Sequence, residues 1–147
     1  MGTRVWLAAL VVALTGLGGC SGDDRSPVDT VQGSWRLTTM TLDGLVYPMD
    51  NPGRPDPTMT VDGYRVSGDG GCNQFGAEVA EDGDVLTVNL GAATMIGCPG
   101  ARGTIERAYF DGLAAVTAAT LDGSDLVLTG DDVTMTFRGT EDGGGER

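Results

Sequence analysis

Four Asp-Gly pairs, Asp43-Gly44, Asp62-Gly63, Asp82-Gly83 and Asp122-Gly123, each stand beside apolar or β-branched residues. Between two alternating runs this dipeptide is the strongest short-range signal for a tight β-hairpin, because its residues accept the positive φ such turns require. A chain marked this way is committed to antiparallel pairing. A two-residue turn at Asp62-Gly63 sets Val61 opposite Tyr64 and Met59 opposite Val66, with all four on one face. The same turn at Asp82-Gly83 sets Val79 opposite Leu86, Ala77 opposite Val88 and Phe75 opposite Leu90. It also puts Glu81 against Asp84, an unfavourable like-charge pair at an exposed tip. A last hairpin turns near Gly130-Asp131, so that Leu128 faces Val133, Leu126 faces Met135, and Phe137 continues that face. A slip of one residue would turn each apolar set to solvent, which is what specifies register.

The opening strand is less regular. Trp35 and Leu37 share one parity while Met40 and Leu42 share the other, so a bulge or twist separates them. Residues 47–57 hold four prolines and read as an irregular loop. One segment abandons the β pattern. Over residues 104–116, Ile105, Tyr109, Leu113 and Val116 recur at near-helical spacing. Glu106 lies near the start of that helix, favourably for its dipole. Gly112 inside costs about 1 kcal/mol, which points to a short or bent helix. Its Ile105-Tyr109-Leu113 stripe should plug one face of the sheet. The expected fold is mostly β (α+β): a curved antiparallel sheet or partial barrel of hairpins with one helix packed on it.

The N-terminus reads as an export signal. Arg4 supplies a positive charge, residues 5–17 are apolar or small without charge, and Leu17-Gly18-Gly19-Cys20 closes the run. The run is short for a membrane span. Its last four residues resemble the bacterial lipobox, in which the cysteine is lipidated and becomes the new N-terminus; an ordinary cleaved signal with an incidental cysteine, or an uncleaved anchor, is the alternative. The expected organisation is a signal over residues 1–19, lipidated Cys20 and a flexible tether over 20–31, one folded domain over 32–140, and a disordered tail over 141–147. Several acyl chains on one cysteine would anchor the protein stably, as one chain would not. The polar stretch Ser21-Gly22-Asp23-Asp24-Arg25-Ser26-Pro27 would keep the domain clear of the headgroups.

The chain has three cysteines, an odd number that needs explaining in an exported protein. With Cys20 lipidated, Cys72 and Cys98 are left to pair where disulfides persist. Both lie in turn-rich surroundings, Gly68-Asp69-Gly70-Gly71-Cys72-Asn73-Gln74-Phe75 and Ala93-Thr94-Met95-Ile96-Gly97-Cys98-Pro99. Backbone held by glycine and proline suits a crosslink that tolerates little geometric error. Closing that loop contributes about 3.5 kcal/mol in the chain-entropy account. Two free, buried, hydrophobic cysteines are the other reading.

These stretches carry a family resemblance. Gly71-Cys72-Asn73-Gln74-Phe75, followed by Ala93-Thr94-Met95-Ile96-Gly97-Cys98, resembles the META domain of HslJ-type heat-shock lipoproteins. Trp35-Arg36-Leu37 is similar to that family's Trp-x-Leu opening, Pro57-Thr58-Met59-Thr60-Val61 to its proline-led strand, residues 105–113 to its single helix, and Leu126-Val127-Leu128 to its late strand. The motif residues are Gly71, Cys72, Asn73, Phe75, Thr94 and Cys98. Met95-Ile96-Gly97 departs from an arginine-methionine pair more common there, so any role of that arginine has no counterpart here. The resemblance implies a link to envelope stress with an unknown partner, and it supplies no catalytic residue.

Composition excludes several activities. The formal charge is −12, with nine arginines, no lysine and no histidine. Without clustered cations neither nucleic acid nor anionic headgroups are expected partners, which leaves the lipid as the membrane link. Without histidine there is no Ser-His or Cys-His nucleophile and no histidine-ligated zinc. Asp131-Asp132, or Asp122 with Asp125, lack the calcium-loop pattern and read as turn residues. No cofactor or metal is expected. The leading expectation is a non-enzymatic, monomeric envelope lipoprotein that binds or protects an unknown envelope partner. A binder or inhibitor of a basic, lysozyme-like hydrolase and a small-ligand carrier are the alternatives.

Overall fold

The computed structural model describes residues 25–50 and 53–140. The signal segment, Cys20, residues 21–24 of the expected tether and the tail beyond 140 lie outside the described residues. The folded part starts earlier than residue 32. A short helix α1 (Pro27–Thr30) is capped by Ser26, whose Oγ accepts from the Asp29 N–H at 3.1 Å, with Pro27 in the first turn where its missing N–H costs nothing. Val28 and Val31 are buried in the core, so residues 27–31 belong to the domain and not to a tether.

The strands are β1 (Gly33–Leu42), β2 (Leu45–Tyr47), β3 (Thr58–Asp62), β4 (Arg65–Asp69), β5 (Gln74–Asp82), β6 (Val85–Ala93), β7 (Ala118–Asp122), β8 (Asp125–Thr129) and β9 (Val133–Gly139), with helix α2 (Ala101–Ala115) between β6 and β7. All pair antiparallel in one sheet of order β6-β5-β4-β3-β1-β9-β8-β7, with β2 hairpinned onto β1. The sheet curls far enough for its two ends to meet: the Leu86 N–H of β6 donates to the Thr117 carbonyl just before β7 at 2.9 Å. This is the partial barrel that the hairpin pattern implies, with the expected helix as α2 and the short α1 in addition.

Each of these four Asp-Gly pairs makes a hairpin, but three of them turn one residue later than a two-residue Asp-Gly loop would. Asp62 pairs with Arg65, Asp82 with Val85 and Asp122 with Asp125. The aspartate stays in the strand, and glycine takes the first loop place at φ +60, +59 and +63. Only Asp43-Gly44 fills both loop places with positive φ, between paired Leu42 and Leu45. Val61 therefore faces Val66, not Tyr64, and Tyr64 sits exposed in the loop. Val79 faces Val88 and Ala77 faces Leu90. Phe75, carried past an irregularity in the pairing, faces Ala93. Glu81 faces Leu86, and the expected clash with Asp84 is absent. Its carboxylate instead accepts from the Val28 N–H of α1 at 2.9 Å. The last hairpin moves likewise, with Leu128 opposite Met135 and Leu126 opposite Phe137. Apart from Phe75, whose partner moves by three residues across the irregularity, each shift is of two residues in pairing, so inward parity survives.

The expected irregularity in β1 lies between Leu37 and Thr39, where the register to β9 shifts. The bulge turns Trp35, Leu37, Met40 and Leu42 all inward. The helix begins three residues before the expected start, at Ala101. Glu106 therefore lies beyond its first turn, and a dipole role does not explain its position. Gly112 has a packing reason: a Cβ there would lie 3.1 Å from Met135 Sδ of β9. Tyr109, Leu113, Leu37 and Phe137 have no exposed surface between helix and sheet.

Candidate functional site

The two turn-rich stretches meet. Asp69 ends β4 and its Oδ1 accepts from the Gly71 N–H at 2.7 Å, while the Gly70 N–H returns to the Asn73 carbonyl at 2.8 Å. Gly71 takes φ +98, a conformation that favours glycine. This tight turn presents Cys72, which forms a disulfide with Cys98 across a Cα separation of 6.4 Å. The alternative of two free thiols is thereby removed.

The centre of the site is Asn73, only 6% exposed. Its Oδ1 accepts from the Ile96 N–H at 2.7 Å and from Thr94 Oγ1 at 3.0 Å. Its Nδ2 donates to the Ile96 carbonyl at 3.1 Å and to Glu106 Oε1 at 2.7 Å. One side-chain amide thus holds both backbone groups of Ile96, as a neighbouring strand would, and uses its whole bonding capacity. Thr94 completes the junction by accepting from the Gln74 N–H at 3.0 Å, and the Thr94 N–H donates to the Gln74 carbonyl at 2.9 Å.

Glu106 fastens this junction to α2. It is 8% exposed, and its Oε2 accepts from the Asn73 N–H at 2.6 Å and the Cys72 N–H at 3.2 Å. A buried carboxylate is tolerable because three N–H groups surround it. One turn earlier, Arg102 donates from Nε and Nη2 to the Gly71 carbonyl, at 3.2 and 2.9 Å. Gly103 allows the close approach: a Cβ there would collide with the Cys98 carbonyl oxygen. Phe75 continues the contact inward, its ring edge-on to Tyr109 at 5.8 Å and to Phe110 at 5.2 Å between centroids. Burial pushes the Tyr109 phenol well above tyrosine's ordinary value, with the Asp69 carboxylate acting in the same direction. Its hydroxyl donates to the Thr58 carbonyl at 3.3 Å.

The structure therefore brings together Gly71, Cys72, Asn73, Phe75, Thr94 and Cys98, every motif residue within the described part. Sequence reasoning missed Glu106 and Arg102. Their signal was available: Arg102, Glu106 and Phe110 form an i, i+4, i+8 row beside the apolar stripe, and a carboxylate on a buried helix arc demands donors. Sulfurs of Cys72 and Cys98 and a Glu106 oxygen lie within 4.8 Å of one another. Metals take thiolates, however, and the disulfide offers none. Asp122 and Asp125 pair across a hairpin turn, and Asp125 binds Arg138 at 3.3 Å.

Above this locked junction the chain is exposed. Met95 is 93% and Ile96 64% exposed, although the Ile96 backbone is held on both sides.

A single curled antiparallel sheet with a crossover helix, stapled by one disulfide and a buried Asn–Glu junction, defines a small β-rich domain built around a fixed surface loop. The chain belongs to the META domain family, whose pattern matches residues 28–142. Its fold is similar to a protein from Burkholderia xenovorans solved by NMR, with a TM-score of 0.63 at 23% identity over 95% of this chain and 99% of that one. It is also similar to a DUF4847 family protein from Bacteroides vulgatus, with a TM-score of 0.51 at 13% identity over 74% of this chain and 93% of that one. Likeness at such identities speaks to fold alone. None of the curated proteins matches the chain.

Proposed function

We propose that this META domain is a non-enzymatic recognition module, exported and lipid-anchored through Cys20, which offers the Met95-Ile96 loop to an envelope protein. The observation that carries the reading is the contrast at Ile96: exposed apolar side chains on backbone bonded at N–H and carbonyl to buried Asn73. Large apolar side chains held rigidly in water are costly unless something covers them. Fixing the loop beforehand lowers the ordering entropy that a partner must overcome. The stress-protective role implied by the family resemblance fits such a module.

The test is photo-crosslinking in growing cells from a probe at Met95, with a probe at Tyr64, exposed in the β3–β4 turn, as reference. A discrete adduct from Met95 alone is expected, in the membrane fraction. Equal labelling from both positions, or none from Met95, contradicts the reading.

A second reading has its own support. Asp43, Asp82, Asp84, Asp122, Asp131 and Asp132 are exposed at hairpin ends, giving an acidic fringe suited to a basic hydrolase. Binding to a lysozyme-like enzyme that weakens steeply with salt would favour it. An interior carrier role has less support, because rings of Phe75, Tyr109, Phe110 and Phe137 pack where a ligand would lie.

A further inference from the structure

A second surface feature runs against the acidity of the chain. On the outer face of the sheet, Ser34 of β1 pairs with Thr60 of β3, and Arg36 with Thr58. These side chains form the floor of an open groove of about 660 Å³, walled by Arg54, Pro55 and Asp56 and closed by Thr140 after β9. The volume falls in the range of small-molecule sites.

Ser34 Oγ and Thr60 Oγ1 bond each other at 3.0 Å and Asp56 Oδ1 accepts from the Asp50 N–H at 3.1 Å, but the two arginines of this groove are under-used. Arg36 stands directly opposite Arg138 in the β1–β9 register, an unfavourable like-charge pair. Arg138 has Asp125 as a partner, whereas Arg36 has no ion pair among the described residues. Arg54 is held by its Nη2, which donates to the Pro48 carbonyl at 2.8 Å. Its Nε–H is buried and finds no acceptor among the described residues. Leaving a buried donor without an acceptor is costly, and more so on a charged group. In a chain with 21 carboxylates, two guanidiniums without carboxylate partners among the described residues share one groove.

We propose that this groove binds a small anionic saccharide. Arg36 and Arg54 would take its phosphate or carboxylate oxygens, for which planar guanidinium donors are suited. Ser34, Thr58, Thr60 and Thr140 offer hydroxyls to the sugar, and Asp56 accepts from it. Exposed Pro55 gives an apolar edge for the C–H face of a sugar ring. The site shares no residue with the Met95-Ile96 loop, so either proposal can fail without the other.

The test is titration of the full folded chain with glucose 6-phosphate, followed by amide chemical shifts. Shifts clustered at residues 34–36, 54–56 and 58–60 are expected, weaker with inorganic phosphate and absent with glucose. Arg36→Gln and Arg54→Gln should each weaken binding at least tenfold, while Arg65→Gln, which lies outside the groove, should not. Vesicles containing phosphatidylglycerol separate the sources: binding to them in preference to the soluble ester assigns the same chemistry to a lipid headgroup. No saturable shift with either probe overturns the proposal. So does binding that arises only after Glu141→Gln and Asp142→Asn, since the acidic C-terminal end would then be the natural occupant.

Discussion

Glu106 shows how one side chain can decide whether two loops and a helix are a unit. Its carboxylate accepts from the Cys72 and Asn73 backbones and from the Asn73 amide, all at 3.2 Å or less. Removing it leaves three donors in a largely dry site. Glu106→Ala is predicted to lower unfolding free energy by about 3 kcal/mol, with water recovering part of the loss at half-buried Cys72. Glu106→Gln keeps one acceptor but turns an amide donor towards another donor, and should cost about half as much. Urea denaturation with the disulfide intact measures both. Equal stability of wild type and Glu106→Ala would show that the junction is held by the disulfide alone. The motif residues around Glu106 are readable in the sequence because they lie in two short turn-rich stretches. Glu106 itself is not, because its partners stand 33 and 34 residues away and only the helix crossing brings them close.

At the level of elements, the hairpins and the helix are readable because turn chemistry and apolar period agree over each segment. The pairing offset is not, because it depends on which residue takes the left-handed place. Gly63 does so alone, leaving Asp62 to pair with Arg65, whereas Asp43 and Gly44 do so together. The β1 bulge is legible from the parity change between Leu37 and Met40, but only the β9 register locates it. The contact of α2 with the sheet carries a titration signature. Tyr109 is neutral in the fold, and its proton is held more tightly there than in the unfolded chain. A raised folded value means the contribution is whole below about pH 10, the ordinary tyrosine value, and is lost as pH rises above it. Stability should fall above that pH by up to about 1.4 kcal/mol per unit from this residue. Tyr109→Phe should remove that part of the slope, read from denaturant midpoints between neutral and alkaline pH. An unchanged slope would mean that the phenol reaches water before the domain opens.

Across the molecule, the three cysteines divide between the disulfide and the lipid anchor proposed above. Cys72 and Cys98 staple the domain that folds from α1 onward, and Cys20 precedes it by a few polar residues. The anchoring role proposed for Cys20 would leave no cysteine unpaired in a chain with an odd number of them. It also explains how a protein of charge −12 would stay at a membrane whose headgroups repel it. The decisive measurement is the intact mass of the protein extracted from cell membranes after alkylation without reductant. The account predicts a chain starting at Cys20, heavier by its acyl groups, with no alkylated thiol. A chain that retains Met1, or one carrying alkyl groups on Cys72 and Cys98, would contradict it.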